Sequence, residues 1–163
     1  MNTTTGFTEP DQNLPEGRML QGWLNTYRDA LQRKCAGLDP EQLRASPVSP
    51  SNLSLLGLVR HLTEMERVHL VHGIPRTRVQ FVYYSEANPE ADFDELQDVD
   101  PDVSFERWFA ERAFADAVIA PHLRDDHLPA HVRFRIVKVI GEYARHAGHA
   151  DLLRERLDGT TGE

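Results

Sequence analysis

Four stretches of this chain repeat their apolar residues with the period of a helix, and that repetition constrains the fold more than any other feature. In "EGRMLQGWLNTYRDALQRKCAGL", Leu20, Trp23, Leu24, Tyr27, Leu31 and Cys35 recur at helical spacing. This predicts a first helix over Pro15–Leu38 that stops at Gly37. A second helix begins near Ser51–Ser54 and runs to Gly73, with Leu55, Leu58, Val59, Leu62, Met65 and Leu70 on one side. Ser104 is placed to cap a third, whose apolar face is Phe105, Trp108, Phe109, Ala113 and Val118 and whose length Pro121 limits. The fourth runs from about Pro129 to Leu157 and stops at Gly159. Four long amphipathic helices predict an all-α fold, a four-helix bundle.

The connections are short on regular signals. "DPEQLRASPVSPSN" is rich in Pro and Ser, with room for one helical turn at Pro40–Arg44. "RVQFVYY" (Arg78–Tyr84) alternates as a short strand does, or packs as an extended segment. Between Glu86 and Glu106 there are nine acidic residues and no Lys or Arg. This acidic excursion between the second and third helices reads as a solvated loop. Residues 1–14 are expected to be a flexible N-terminal segment, 15–159 a single domain and 160–163 a short tail.

Composition excludes several function classes. A net charge of −8 without a basic stripe argues against nucleic acid as a partner. No apolar run approaches the roughly 20 residues of a membrane span, so no membrane association is expected. The N-terminus lacks the basic start and apolar stretch of a secretory signal. One cysteine, Cys35, excludes an internal disulfide and a cysteine-based zinc cluster, and a reducing cytoplasm suits such a chain. Cys35 lies on an apolar face, where an inert thiol is the expected state. Nucleotide-binding glycine loops and serine-hydrolase elbows are absent.

Histidines and one glutamate carry the chemistry that remains. On the second helix Leu58, His61, Met65, Val68 and His72 share a stripe. On the fourth, Val139, Glu142, His146, His149 and Leu153 do the same. Glu142 and His146, four apart, project from successive turns of one face. With His61 from a facing helix they could chelate one ion and leave positions open for water or substrate. The same spacing also suits a plain Glu–His pair on a helix surface, and sequence alone leaves both readings open. His69 and His72 suit the end of the second helix, and His122, His127 and His131 read as surface residues. Arg60 and Arg145 adjoin the proposed ligands, where they could meet an anionic substrate or serve ordinary ion pairs.

"SLLGLVRHLTEMERVHL" (Ser54–Leu70) and "EYARHAGHADLLRERLDGTTG" (Glu142–Gly162) resemble the DinB-like superfamily. The nearer likeness is to its bacterial branch related to mycothiol-dependent maleylpyruvate isomerase and mycothiol S-transferases, over roughly residues 15–162. The resemblance implies an up-down-down-up four-helix bundle, often a homodimer, holding zinc or nickel through three side chains. His61 matches the ligand on the second helix, and Glu142 and His146 match the pair on the last. His149 stands where relatives usually carry Gln, and becomes a fourth ligand or a supporting group. Relatives often read W-V-L-x-H-M-I-E-E before this motif. Here Phe134, Lys138 and Gly141 replace the Trp, the His and a Glu, and Lys138 lies one turn from Glu142, where its ammonium competes with a metal.

The expected function is therefore a metal-dependent S-transferase or isomerase. It would use a low-molecular-weight, mycothiol-like thiol as cosubstrate on a small electrophile. The alternative is a non-catalytic bundle of the same fold, a binding or stress protein, which the Lys138 and Gly141 departures favour.

Overall fold

The computed structural model describes residues 7–94, 96–123 and 127–161. Four long helices form the bundle. Helix α1 spans Glu16–Cys35, and α2 is a short helix over Pro40–Arg44. Helix α3 covers Leu55–Met65 and continues as a π-helical stretch, Glu66–Val71. Helix α4 covers Pro101–Ile119 and passes into a 3-10 turn at Ala120–Leu123, and α5 covers Ala130–Asp158. No strand occurs among the described residues, and none of their helices is long and apolar enough to cross a membrane.

Local chemistry sets the boundaries. Ser54 Oγ accepts from Gly57 N at 3.0 Å and starts α3. Asp39 and Gln42 form a reciprocal capping box on α2. Gly159 ends α5 in a left-handed conformation (φ 77°), which a residue without a Cβ adopts at no steric cost. The start of α4 differs from the expectation at Ser104. Asp100 is the cap, its Oδ1 accepting from Asp102 N at 2.9 Å, and Pro101 supplies a first position that needs no N–H. The helix consequently begins a turn earlier, and Ser104 is buried within it.

The buried face of α4 also differs from the expectation. Its buried line is Ser104, Trp108, Glu111, Ala115 and Ile119, leaving Phe109 and Ala113 at the surface. Phe109 and Trp108 are covered instead by the Arg112 guanidinium, 5.7 Å and 4.7 Å from their ring centres. The segment at Arg78–Tyr84 is extended without strand pairing. A buried carboxylate holds it: Glu64 Oε1 accepts from the amides of Val82, Tyr83 and Tyr84 at 2.7, 2.5 and 3.2 Å.

The core is mostly aliphatic, with Leu24, Leu31, Leu58, Leu62, Ile136 and Val139 among its members. At its centre lies a charged network. Arg28 on α1 donates from Nε and Nη2 to both oxygens of Glu66, each at 2.7 Å, and both side chains are fully buried. Tyr143 on α5 donates to Glu66 Oε1 at 2.9 Å, and Trp108 on α4 donates to the Tyr143 oxygen at 2.7 Å. Burial alone would disfavour the charged guanidinium, yet Glu66, with Tyr143 and Asp116, holds Arg28 firmly protonated. Glu66 follows Val59 and Leu62 at helical spacing on the buried side of this element, and Leu70 continues that line through the π-helical stretch, while Met65 is half-buried.

The N-terminal residues that are described rest on α1. Phe7 packs against Tyr27 and Trp23, with ring centres 5.4 and 6.0 Å apart, and Thr26 Oγ1 donates to Thr8 O at 2.7 Å. Residues 1–6 and 162–163, at the two ends of the chain, lie outside the described residues.

Breaking the network on one side should be costly. Glu66→Ala leaves Arg28 buried with only its contacts to Asn25 and Asp116, and should cost about 3–5 kcal/mol in urea unfolding. Tyr143→Phe removes one donor and one acceptor but no charge, and should cost about 1–3 kcal/mol in the same assay.

Candidate metal centre

Helix α5 delivers Glu142 and His146 one turn apart, and α3 delivers His61 from the facing side. The donor atoms of the three side chains all lie within 4.8 Å of one another. Glu142 Oε2 is 4.0 Å from His61 Nε2 and 3.8 Å from His146 Nε2. The two imidazole rings meet edge to face at 4.8 Å. Tetrahedral zinc with bonds of about 2.0–2.2 Å places its ligand atoms roughly 3.3–3.6 Å apart. The Glu142–histidine separations are within about half an ångström of that spacing, and the three donors as a set within about an ångström of it. Two imidazoles with a carboxylate are a donor set that suits zinc or nickel.

The protonation states suit the same use. Burial pulls the His146 pKa down to about 4, assisted by His61 and His149, so its imidazole is neutral at pH 7. For Glu142, burial pushes the carboxyl pKa up, but Lys138 pulls it down, joined by Arg145 and His61, and the result lies below the usual range. Glu142 is therefore an anion between two imidazoles.

The carboxylate divides its oxygens. Oε1 accepts a short contact from Lys138 Nζ, while Oε2 faces both imidazoles. The ion pair expected from the Lys138 substitution is thus formed, and it leaves the oxygen on the histidine side free of the ammonium. Arg145, mostly exposed, stands 3.7 Å from the same Oε2.

Two supporting contacts orient the histidines. His61 Nδ1 is 2.8 Å from Asp92 Oδ2, a contact in which Nδ1–H donates to the carboxylate and the ring is held with Nε2 on the Glu142 side. His146 Nδ1 lies 3.2 Å from His149 Nδ1, so His149 sits behind His146 and away from the three converging donors. Phe93 stacks on the His61 ring at 5.3 Å. Gly57 makes that possible, since a Cβ there would stand 2.7 Å from the Phe93 ring.

Asp92 and Phe93 belong to the acidic stretch read as a solvated loop, and that reading is corrected over these residues. The Asp92 side chain is only 13% exposed, and Leu96 is buried. The one signal in the sequence was apolar: Phe93 and Leu96 interrupt the acids and give the segment something to bury. Glu95 lies outside the described residues.

The remaining histidines stay apart from the centre. His72 Nδ1 is 2.8 Å from Thr77 Oγ1, and His69 lies beside Arg135, with Nδ1 and Nη1 3.1 Å apart. His127 and His131 are exposed and His122 is half-buried. Cys35 is buried, and burial pushes its thiol pKa up to about 12.

The His146 shift predicts a pH dependence in chelator-treated protein. The unfolded chain takes up the proton near the ordinary histidine value of 6.5, and the folded chain only near 4. Stability should therefore fall as pH drops through that window and level off below it. The pH dependence of the urea midpoint over the window should be shallower in His146→Phe than in wild type.

A sequence model of the mycothiol-S-transferase family matches residues 19–159. No curated protein and no solved structure matches the chain. The matched residues take in most of α1, all of α3, α4 and α5 and every residue of the centre, and the chain belongs to the mycothiol-S-transferase family.

Proposed function

From that membership, we propose that the protein is a metal-dependent S-transferase that joins a low-molecular-weight, mycothiol-like thiol to a small electrophile. His61, Glu142 and His146 would hold the ion. The observation that carries the reading is their convergence with the right charge states: one carboxylate anion and a neutral His146 imidazole, all donors within 4.8 Å. A divalent metal held there would lower the pKa of a thiol and so supply thiolate at neutral pH.

The chain's own residues account for the rest. Asp92 keeps His61 in the tautomer that offers Nε2. Phe93 covers one face of that ring and keeps water from it. Lys138 and Arg145 place positive charge at the edge of the site, where an anionic sulfur would be favoured. Cys35 is ruled out as the nucleophile by its burial and raised pKa, so the sulfur must arrive with the cosubstrate. In the transfer the thiol loses its proton and its sulfur bonds to an electrophilic carbon. The displaced group then leaves with its electron pair, or the adduct takes up a proton. A soluble, cytoplasmic homodimer is part of the same proposal by family resemblance.

A second reading, a bundle that has lost activity, draws on the Lys138–Glu142 contact. The division of the Glu142 oxygens weighs against it, because the oxygen facing the histidines is not the one bound to Lys138.

Elemental analysis of protein purified without a metal-affinity tag tests the centre. About one zinc or nickel per chain is expected, lost in His61→Ala and in His146→Ala. Lys138→Met, which removes a competing cation, should bind the ion more tightly. Thiol conjugation of a chromogenic electrophile should stop on chelation and return with metal. Absence of metal after incubation with zinc would leave the second reading in place.

A further inference from the structure

A second polar site lies on the other side of the Ala91–Asp92 segment. Arg60, the neighbour of His61, is 8% exposed, and its guanidinium carbon stands over the Tyr83 ring, 4.3 Å from the ring centre. Nη2 donates to Ala91 O at 2.7 Å, whereas Nε and Nη1 are buried without an acceptor. The Tyr83 hydroxyl is buried without a hydrogen-bond partner, and Ser104 lines the same pocket. These groups line a pocket of about 320 Å³ together with Arg107, Val99, Asp100 and Val103.

The charges around it do not balance. A buried guanidinium is costly unless a partner meets it. The carboxylates around it are already engaged: Asp92 with His61, Asp100 with the first turn of α4 through Asp102 N, and Glu64 Oε1 with the amides of Val82, Tyr83 and Tyr84. Asp100 also lines the pocket and opposes an anion there, but it is one carboxylate against two guanidiniums. Arg107 carries no ion pair to a described residue, in a chain whose net charge is −8. Two arginines, a phenol and a hydroxyl around one small cavity are donors in search of an acceptor.

We propose that this pocket binds an oxyanion, the carboxylate or phosphate group of a small molecule, between Arg60 and Arg107 with the Tyr83 and Ser104 hydroxyls as further donors. The site uses none of the three converging donors of α3 and α5, so it stands independently of the metal reading. Because Ala91 holds Arg60 and Asp92 holds His61, a filled pocket would also steady the segment that orients the metal centre.

The test titrates inorganic phosphate and succinate separately into the full chain, at ionic strength held constant with chloride, followed by amide chemical shifts. Saturable binding is expected, with the largest shifts at Arg60, Tyr83 and Ser104. Affinity should fall about tenfold in Arg107→Ala, a surface change that leaves the fold intact, and about as far in Arg60→Lys, which keeps the charge but loses the planar donor set. Preference for phosphate or for succinate identifies the acid group of the ligand, and either result supports the site. No saturable binding of either probe overturns it, as does unchanged affinity in Arg107→Ala. Binding that disappears on chelation, with Arg107→Ala behaving as wild type, would place the anion at the metal centre and also overturn the proposal.

Discussion

The buried pairing of Arg28 with Glu66 is the constraint around which the bundle is organised. Two charges without contact with solvent are tolerated only when every donor and acceptor is met. Glu66 answers two guanidinium N–H groups and the Tyr143 hydroxyl, and Tyr143 in turn answers Trp108. The chain of contacts touches all four long helices, α1 through Arg28, α3 through its π-helical continuation, α5 through Tyr143 and α4 through Trp108. Apolar packing alone would permit these helices to slide or rotate against one another. A network with one satisfied arrangement removes that freedom.

The metal centre inherits its geometry from this arrangement. Tyr143 and Glu142 are consecutive on α5, so fixing Tyr143 against Glu66 fixes the rotation of the helix that presents Glu142 and, one turn on, His146. Glu66 and His61 lie on the same element of the bundle, His61 in its α-helical part and Glu66 at the first position of the π-helical continuation. The centre is thus rigid on the side of α5 and is completed on the side of α3 by a loop. There Asp92 and Phe93 hold the His61 ring, and Gly57 leaves room for the phenyl group. Lys138 adds a feature of its own, a cation on one carboxylate oxygen while the other faces the histidines.

Helical periodicity located the long helices within a few residues and put His61, Glu142 and His146 on inward stripes. It misjudged α4. Counting apolar residues there favoured Phe109 and Ala113, but the helix buries Trp108 against Tyr143 and, in line with it, Ser104 and Glu111. It also missed Asp92, because one acid among nine carries no mark that distinguishes a histidine partner from a solvated neighbour. Arg60 was legible as a residue next to a ligand, whereas its burial over Tyr83 was not.

By itself the sequence determined the class of fold, the presence of a two-histidine, one-carboxylate donor set and the inertness expected of Cys35. These follow from local periodicity and residue chemistry, which act over one or two helical turns. Only the tertiary structure decided where the second helix loosens into a π-turn, which oxygen of Glu142 meets Lys138, and which acidic residue holds His61. The His61–Asp92 contact joins residues 31 apart and the Glu66–Tyr143 contact residues 77 apart. Although Lys138 and Glu142 are one turn apart, the other Glu142 oxygen faces His61 on a different helix. Such pairings are chosen by the requirement that buried charges and dipoles all be satisfied at once, and no local pattern encodes that requirement.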